Sequence, residues 1–164
     1  MRKYLLIFFV FSVNIVLAQS KDSLPSIKVA GEVTKPLQLQ AADLAKMKRV
    51  TVSMKDRDGN EHAYTGVAVA DILEMAGVTM GRQLRGENLT KYMLVKCADG
   101  YEVLFSLAEL DADFTDRTVI IADRSEGKPL PPGKGPFRLV VPGEKKPARC
   151  SFQVTELIIK FAKE

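Results

Sequence analysis

Seven basic side chains, Arg124, Lys128, Lys134, Arg138, Lys145, Lys146 and Arg149, fall in one stretch that carries only two acids, Glu126 and Glu144. Through it run Gly127, Pro129, Pro131, Pro132, Gly133, Gly135 and Pro136. Glycines let backbone N–H groups approach an anion closely, while Lys and Arg add charge-assisted hydrogen bonds. Lys134, Arg138 and Arg149 are therefore candidates to bind an anionic ligand, with Arg124 a candidate by loop membership alone. The competing reading is a solvated basic edge with Arg138 in surface ion pairs.

Other chemistry is thinly supported. His62 is the only histidine, and no Gly-x-Ser-x-Gly elbow accompanies it, so nucleophilic hydrolysis is not indicated. Cys97 and Cys150 show no Cys-x-x-Cys spacing and no metal ligand set is expected. Asp56-x-Asp58-x-Asn60 opens like a calcium loop, but its twelfth position is Val67, where a bidentate Glu is required, so a turn is expected instead. Asn88-Leu89-Thr90 matches a glycosylation acceptor. Cys97 and Cys150 have three readings: a disulfide closing a long loop, two buried thiols, or a thiolate ligand.

These residues need a framework, and the chain has the material for one. Its 164 residues are 46% hydrophobic and 27% charged, which excludes a disordered tail, collagen or a disulfide-dense miniprotein. Residues 1–18 read as a signal peptide: a basic start at Arg2 and Lys3, an apolar run over 5–17, and Ala18 at the cleavage position. The run is too short to span a membrane, and export to the periplasm or beyond is expected. Residues 19–164 then form one domain, with net charge +2 once Arg2 and Lys3 are removed from the +4 of the whole chain. So small an excess does not point to nucleic acid.

Alternation over 27–33 and 50–54 predicts half-buried strands, with a short helix at 41–45 between them. Turn chemistry at 56–60 predicts a hairpin returning through 61–64. Val69, Ile72, Leu73 and Ala76 share one helix face, with Gly77 at the C-terminal cap. Asp99-Gly100 predicts a second hairpin, and Ser106 with Glu109 a capping box. The apolar run 118–122 reads as an interior strand. Regular structure is expected to stop over 124–136, then resume as strands at 137–141 and 151–161.

In the late loop, Gly127-Lys128-Pro129-Leu130-Pro131-Pro132 and Gly135-Pro136-Phe137-Arg138-Leu139-Val140-Val141-Pro142 resemble the signature of the molybdopterin-binding domain of the sulfite oxidase fold, as in sulfite oxidases and the bacterial periplasmic methionine sulfoxide reductase catalytic subunit. The resemblance extends in order through Gly31-Glu32-Val33, Tyr64-Thr65-Gly66-Val67 with Asp71-Ile72-Leu73, and Ala98-Asp99-Gly100-Tyr101. It implies an α+β domain, mostly mixed β-sheet with a few short helices, that cradles the pterin of a molybdenum cofactor. By position, Arg138 and Arg149 resemble basic residues beside the pterin and its phosphate.

The chain departs from that pattern where the resemblance implies a molybdenum-ligating Cys. Residues 50–56 read Val-Thr-Val-Ser-Met-Lys-Asp, and Phe152 stands where several relatives carry Lys. The leading expectation is thus an exported domain that binds a phosphate-bearing pterin or similar anion, with molybdenum and catalysis both in doubt. One alternative is a molybdenum oxidoreductase with a nonstandard ligand, Ser53 or Cys97. Another is a noncatalytic module whose basic loop meets a redox or membrane subunit.

Overall fold

The computed structural model describes residues 24–162. The signal-peptide reading of 1–18 lies outside the described residues. Among the described residues, ten strands, two short helices and several 3-10 turns follow one another, with strands β1 (Ser26–Gly31), β2 (Leu37–Gln40), β3 (Arg49–Lys55), β4 (Glu61–Ala68), β5 (Lys91–Cys97), β6 (Glu102–Ser106), β7 (Ile120–Ser125), β8 (Lys128–Pro129), β9 (Arg138–Val140) and β10 (Val154–Phe161). Helix α1 is Ala41–Lys46 and α2 is Val69–Met75. This is the mixed, strand-rich α+β architecture expected.

One sheet runs β2-β1-β10-β5-β6, in which β1 and β10 are parallel and the other pairs antiparallel. The other runs β3-β4-β7-β8, with β9 also paired to β7. Period-two alternation puts Ile27 and Val29 of β1, and Met93 and Val95 of β5, into the core. They share one hydrophobic cluster with Val67, Ile120, Ile121 and Leu139 of the second sheet and Ile72 and Leu73 of α2.

Local chemistry sets the turns as read. Gly77 closes α2 at φ +70°, and Gly100 turns the β5–β6 hairpin at φ +83°. Ser106 and Glu109 form the capping box, here over a 3-10 turn at Leu107–Leu110. In the segment 124–136, regular structure goes further than expected. Strand β7 continues to Ser125, and Lys128–Pro129 folds back onto Arg124 and Ser125. Glu126 and Gly127, at φ +50° and +72°, make the tight turn between them. Glu126 tolerates this backbone because its N–H donates to the Ala63 carbonyl and its side chain accepts from the Ala63 N–H. Strand β10 starts later than expected because Gln153, at φ +51°, turns the chain just before Val154. Among the described residues no helix is long and apolar enough to cross a membrane.

Candidate functional site

A pocket of about 370 Å³ opens where the β3–β4 turn, strand β4, the end of β7, the Pro/Gly loop and β9 meet. Its floor is Arg138, 2% exposed. Strand β9 is buried along its whole length, so a charge on it must find a counter-charge or unfold the site. That partner is Asp56, at the start of the turn: Arg138 Nη1 donates to Oδ2 at 3.0 Å and Nη2 to Oδ1 at 3.2 Å. Tyr64 Oη donates to Asp56 Oδ2 at 2.9 Å and accepts from Arg138 Nη1. The guanidinium lies 4.7 Å from the Tyr64 ring centre and 4.4 Å from that of Phe152, a cation between two aromatic rings.

Burial alone would raise the Asp56 carboxyl. The Arg138 hydrogen bonds, the Arg57 N–H and the Tyr64 hydroxyl outweigh it and hold the carboxyl far below the usual range. Burial pushes the Tyr64 phenol up, against the opposing pull of Arg138. Both stay in their hydrogen-bonding states at neutral pH.

The rim is polar. Lys134 reaches over Phe152, with Nζ 5.8 Å from the ring centre, and Arg57 lies nearby on the turn. His62 Nε2 is 2.8 Å from Asp58 Oδ2, and the half-buried ring is part of the pocket wall. Leu130, Pro131 and Phe152 supply apolar wall, and Ser125 a hydroxyl. Asp56, Asp58, Tyr64 and Phe152 were not singled out as site residues from sequence. The usable signal was Arg138 itself, because an arginine inside the apolar run Phe137 to Val141 requires a distant acid.

Of the four expected cations, the structure brings Lys134 and Arg138 together and leaves two apart. Arg124 is exposed, donates to the Gly127 carbonyl at 3.3 Å, and faces a shallow groove beside Ala41 and Ala45. Its neighbour Ser125 lines the pocket and Arg124 does not, as alternation along a strand requires. Arg149 Nε donates to Glu144 at 2.9 Å, its Nη1 to Glu109 at 3.0 Å, and its guanidinium covers Phe105. With Arg117 reaching the same two carboxylates, Arg149 fastens the segment before β10 to the capping box rather than facing the pocket.

The molybdenum centre implied by the sequence resemblance can be tested against these side chains. Ser53 is exposed and alternates with Met54, placing it on the face of β3 opposite to His62 and Tyr64 of the pocket. Cys97 and Cys150 are free and buried, and burial raises both thiols, which disfavours thiolates. Cys150 Sγ packs 3.0 Å from Met54 Sδ, and the Val141 N–H donates to it at 3.4 Å. Among the described residues no group of three His, Cys, Asp or Glu side chains is placed to hold a metal. The residues present do not fit a protein-ligated molybdenum centre. The disulfide reading of Cys97 and Cys150 is likewise not what the structure has. Native protein is expected to show no thiol reactive towards a bulky aromatic disulfide reagent, and two after denaturation without reductant. A chain whose thiols appear only after reduction would contradict this.

Comparisons with known proteins agree with the fold. Sulfane dehydrogenase SoxCD from Paracoccus pantotrophus superposes with a TM-score of 0.66 at 22% identity, over 85% of this chain and 39% of that one. That likeness shows the fold, and the chain spans well under half the length of that protein. No curated protein matches the sequence. The profile of the oxidoreductase molybdopterin binding domain matches residues 20–146, most of the chain, and to that family the chain belongs.

Proposed function

We propose that this domain is exported and binds a phosphate-bearing pterin, or a similar planar anion, in the Arg138 pocket, without molybdenum redox catalysis. The observation that carries the reading is the pairing of a free rim cation, Lys134, with the exposed part of Phe152 and an apolar wall, above a polar floor fixed by Asp56, Tyr64 and Arg138. A ring can lie against Phe152, Leu130 and Pro131, which removes apolar surface from water. Its anion reaches Lys134 at the rim. Ser125, Asp58 and His62 offer hydrogen bonds to ring substituents. Family membership supports a pterin, and the absence of a thiolate from the pocket argues against a metal step.

Titration of the purified protein with neopterin monophosphate, followed by pterin fluorescence, tests this. Saturable binding at one ligand per chain is expected. Lys134→Ala should weaken it by about tenfold to a hundredfold, the worth of one charge-assisted hydrogen bond. Phe152→Ala should weaken it comparably by removing the stacking surface. Absence of saturable binding, or affinity unchanged in both variants, would overturn the reading.

A further inference from the structure

We propose that Asp56 is a built-in occupant of the anion position on Arg138, so that the pocket takes its ligand's negative charge at the rim, on Lys134 and Arg57. This rests on the ligand reading above and narrows it: the ligand carries its anion outside the ring, where the rim cations meet it, and has no second anion directed at the floor.

The planar fork of an arginine is the usual receptor for a carboxylate or phosphate, gripping two oxygens with two nitrogens. Here the two Nη atoms hold the two Asp56 oxygens at 3.0 and 3.2 Å, and Nη1 also donates to Tyr64. Nε is buried and has no partner, and it is closed off from solvent. The Tyr64 and Phe152 rings crowd the guanidinium, with centres 4.7 and 4.4 Å from its carbon. The two Nη donors that would grip an incoming anion's oxygens are therefore already taken by the chain's own groups.

The occupant is also fixed. The Asp56 N–H donates to the Asn60 carbonyl, the Gly59 N–H donates to the Asp56 carbonyl, and the Arg57 N–H donates to Asp56 Oδ1 at 2.9 Å. A ligand anion could reach Arg138 only by opening that turn. Lys134 is exposed and Arg57 is exposed, and both line the same pocket. They remain the accessible cations.

Removing the Asp56 carboxylate would leave a buried guanidinium unpaired, a state that draws in any small anion able to fit. Thermal unfolding of wild type, Asp56→Ala and Asp56→Asn in acetate and in chloride at matched ionic strength reads this directly. Acetate should stabilise Asp56→Ala with an apparent affinity at least about tenfold above wild type, and wild type should not tell acetate from chloride. Asp56→Asn should lie between them, because its amide fills the space without the charge. Equal acetate stabilisation of wild type, or a folded Asp56→Ala that gains none, would overturn the proposal.

A measurement on wild type serves where the variants do not fold. In an NMR titration with inorganic phosphate, the Lys134 and Arg57 amides should shift while the Arg138 Nε and Nη resonances stay in place. Arg138 signals that move as far as those of Lys134 would overturn it. Acetate rescue of Asp56→Ala together with failed neopterin monophosphate binding would sink the ligand reading, and with it the rim placement of the ligand's anion, while Asp56 as the occupant of Arg138 would stand. Pterin binding with an acetate-responsive wild type would do the reverse.

Discussion

Arg138→Met is expected to cost the fold about 3 to 5 kcal/mol, because it leaves the Asp56 carboxylate half-enclosed without its counter-charge. For a domain of this size that corresponds to a fall of roughly 10 °C or more in Tm, read by thermal or urea unfolding. The loss belongs to the broken pair and not to the charge as such. Asp56→Leu combined with Arg138→Met, which replaces both partners by apolar groups, should therefore recover much of it, and the double-mutant cycle measures the coupling. Since the Asp56 carboxyl is depressed in the folded state, its contribution is fully present above the ordinary value of 3.8 and drains away as pH falls below it. Wild type should lose stability on acidification more steeply than Asp56→Asn. Parallel pH profiles for the two would show that the pair contributes little.

Gly66→Ala is expected to be as severe or worse, costing more than about 4 kcal/mol or abolishing soluble expression. A Cβ at Gly66 would lie 2.0 Å from the Ile121 carbonyl oxygen and 2.6 Å from the Ala122 Cα. Both are backbone atoms of the neighbouring strand, so no side chain can swing aside. The close approach coincides with the register shift between Thr65 and Gly66 in the β4–β7 pairing, which brings the wall of the pocket onto the strand that carries Ser125. Gly59→Ala is the control: nothing stands within 4 Å of its Cβ, and the cost is only that of a left-handed turn at φ +81°. Unfolding free energies from urea titrations of the two variants should differ by several kcal/mol, and similar values would refute the packing explanation.

What could be read from sequence was local. The α2 face closing on Gly77, the Asp99-Gly100 hairpin and the Ser106–Glu109 capping box each depend on residues a few positions apart, and each is in the structure. The Pro/Gly signature pointed to the family for the same reason. The partner of Arg138 was hidden because Asp56 lies 82 positions away and looked sufficient as a turn residue. Glu126 concealed the β7–β8 turn, since a left-handed Glu has no sequence signal and is held there by Ala63 across the sheet. Phe152 lines the pocket beside the left-handed Gln153, a backbone conformation without a signal in the residue type. Counting basic residues in a loop overstated the cradle for a simple geometric cause. Adjacent residues of β7 face opposite sides, and Arg149 is engaged by Glu144, which the linear charge count treated as diluting the patch, and by Glu109, which lies outside the counted stretch.

A crystal structure of the wild-type protein soaked with neopterin monophosphate is the most direct measurement. The ring should lie against Phe152 and Leu130 with its phosphate within hydrogen-bond reach of Lys134, and Asp56 should still hold both Nη atoms of Arg138. A ligand bound away from these residues, or one whose phosphate has displaced Asp56 from the arginine, would contradict the account.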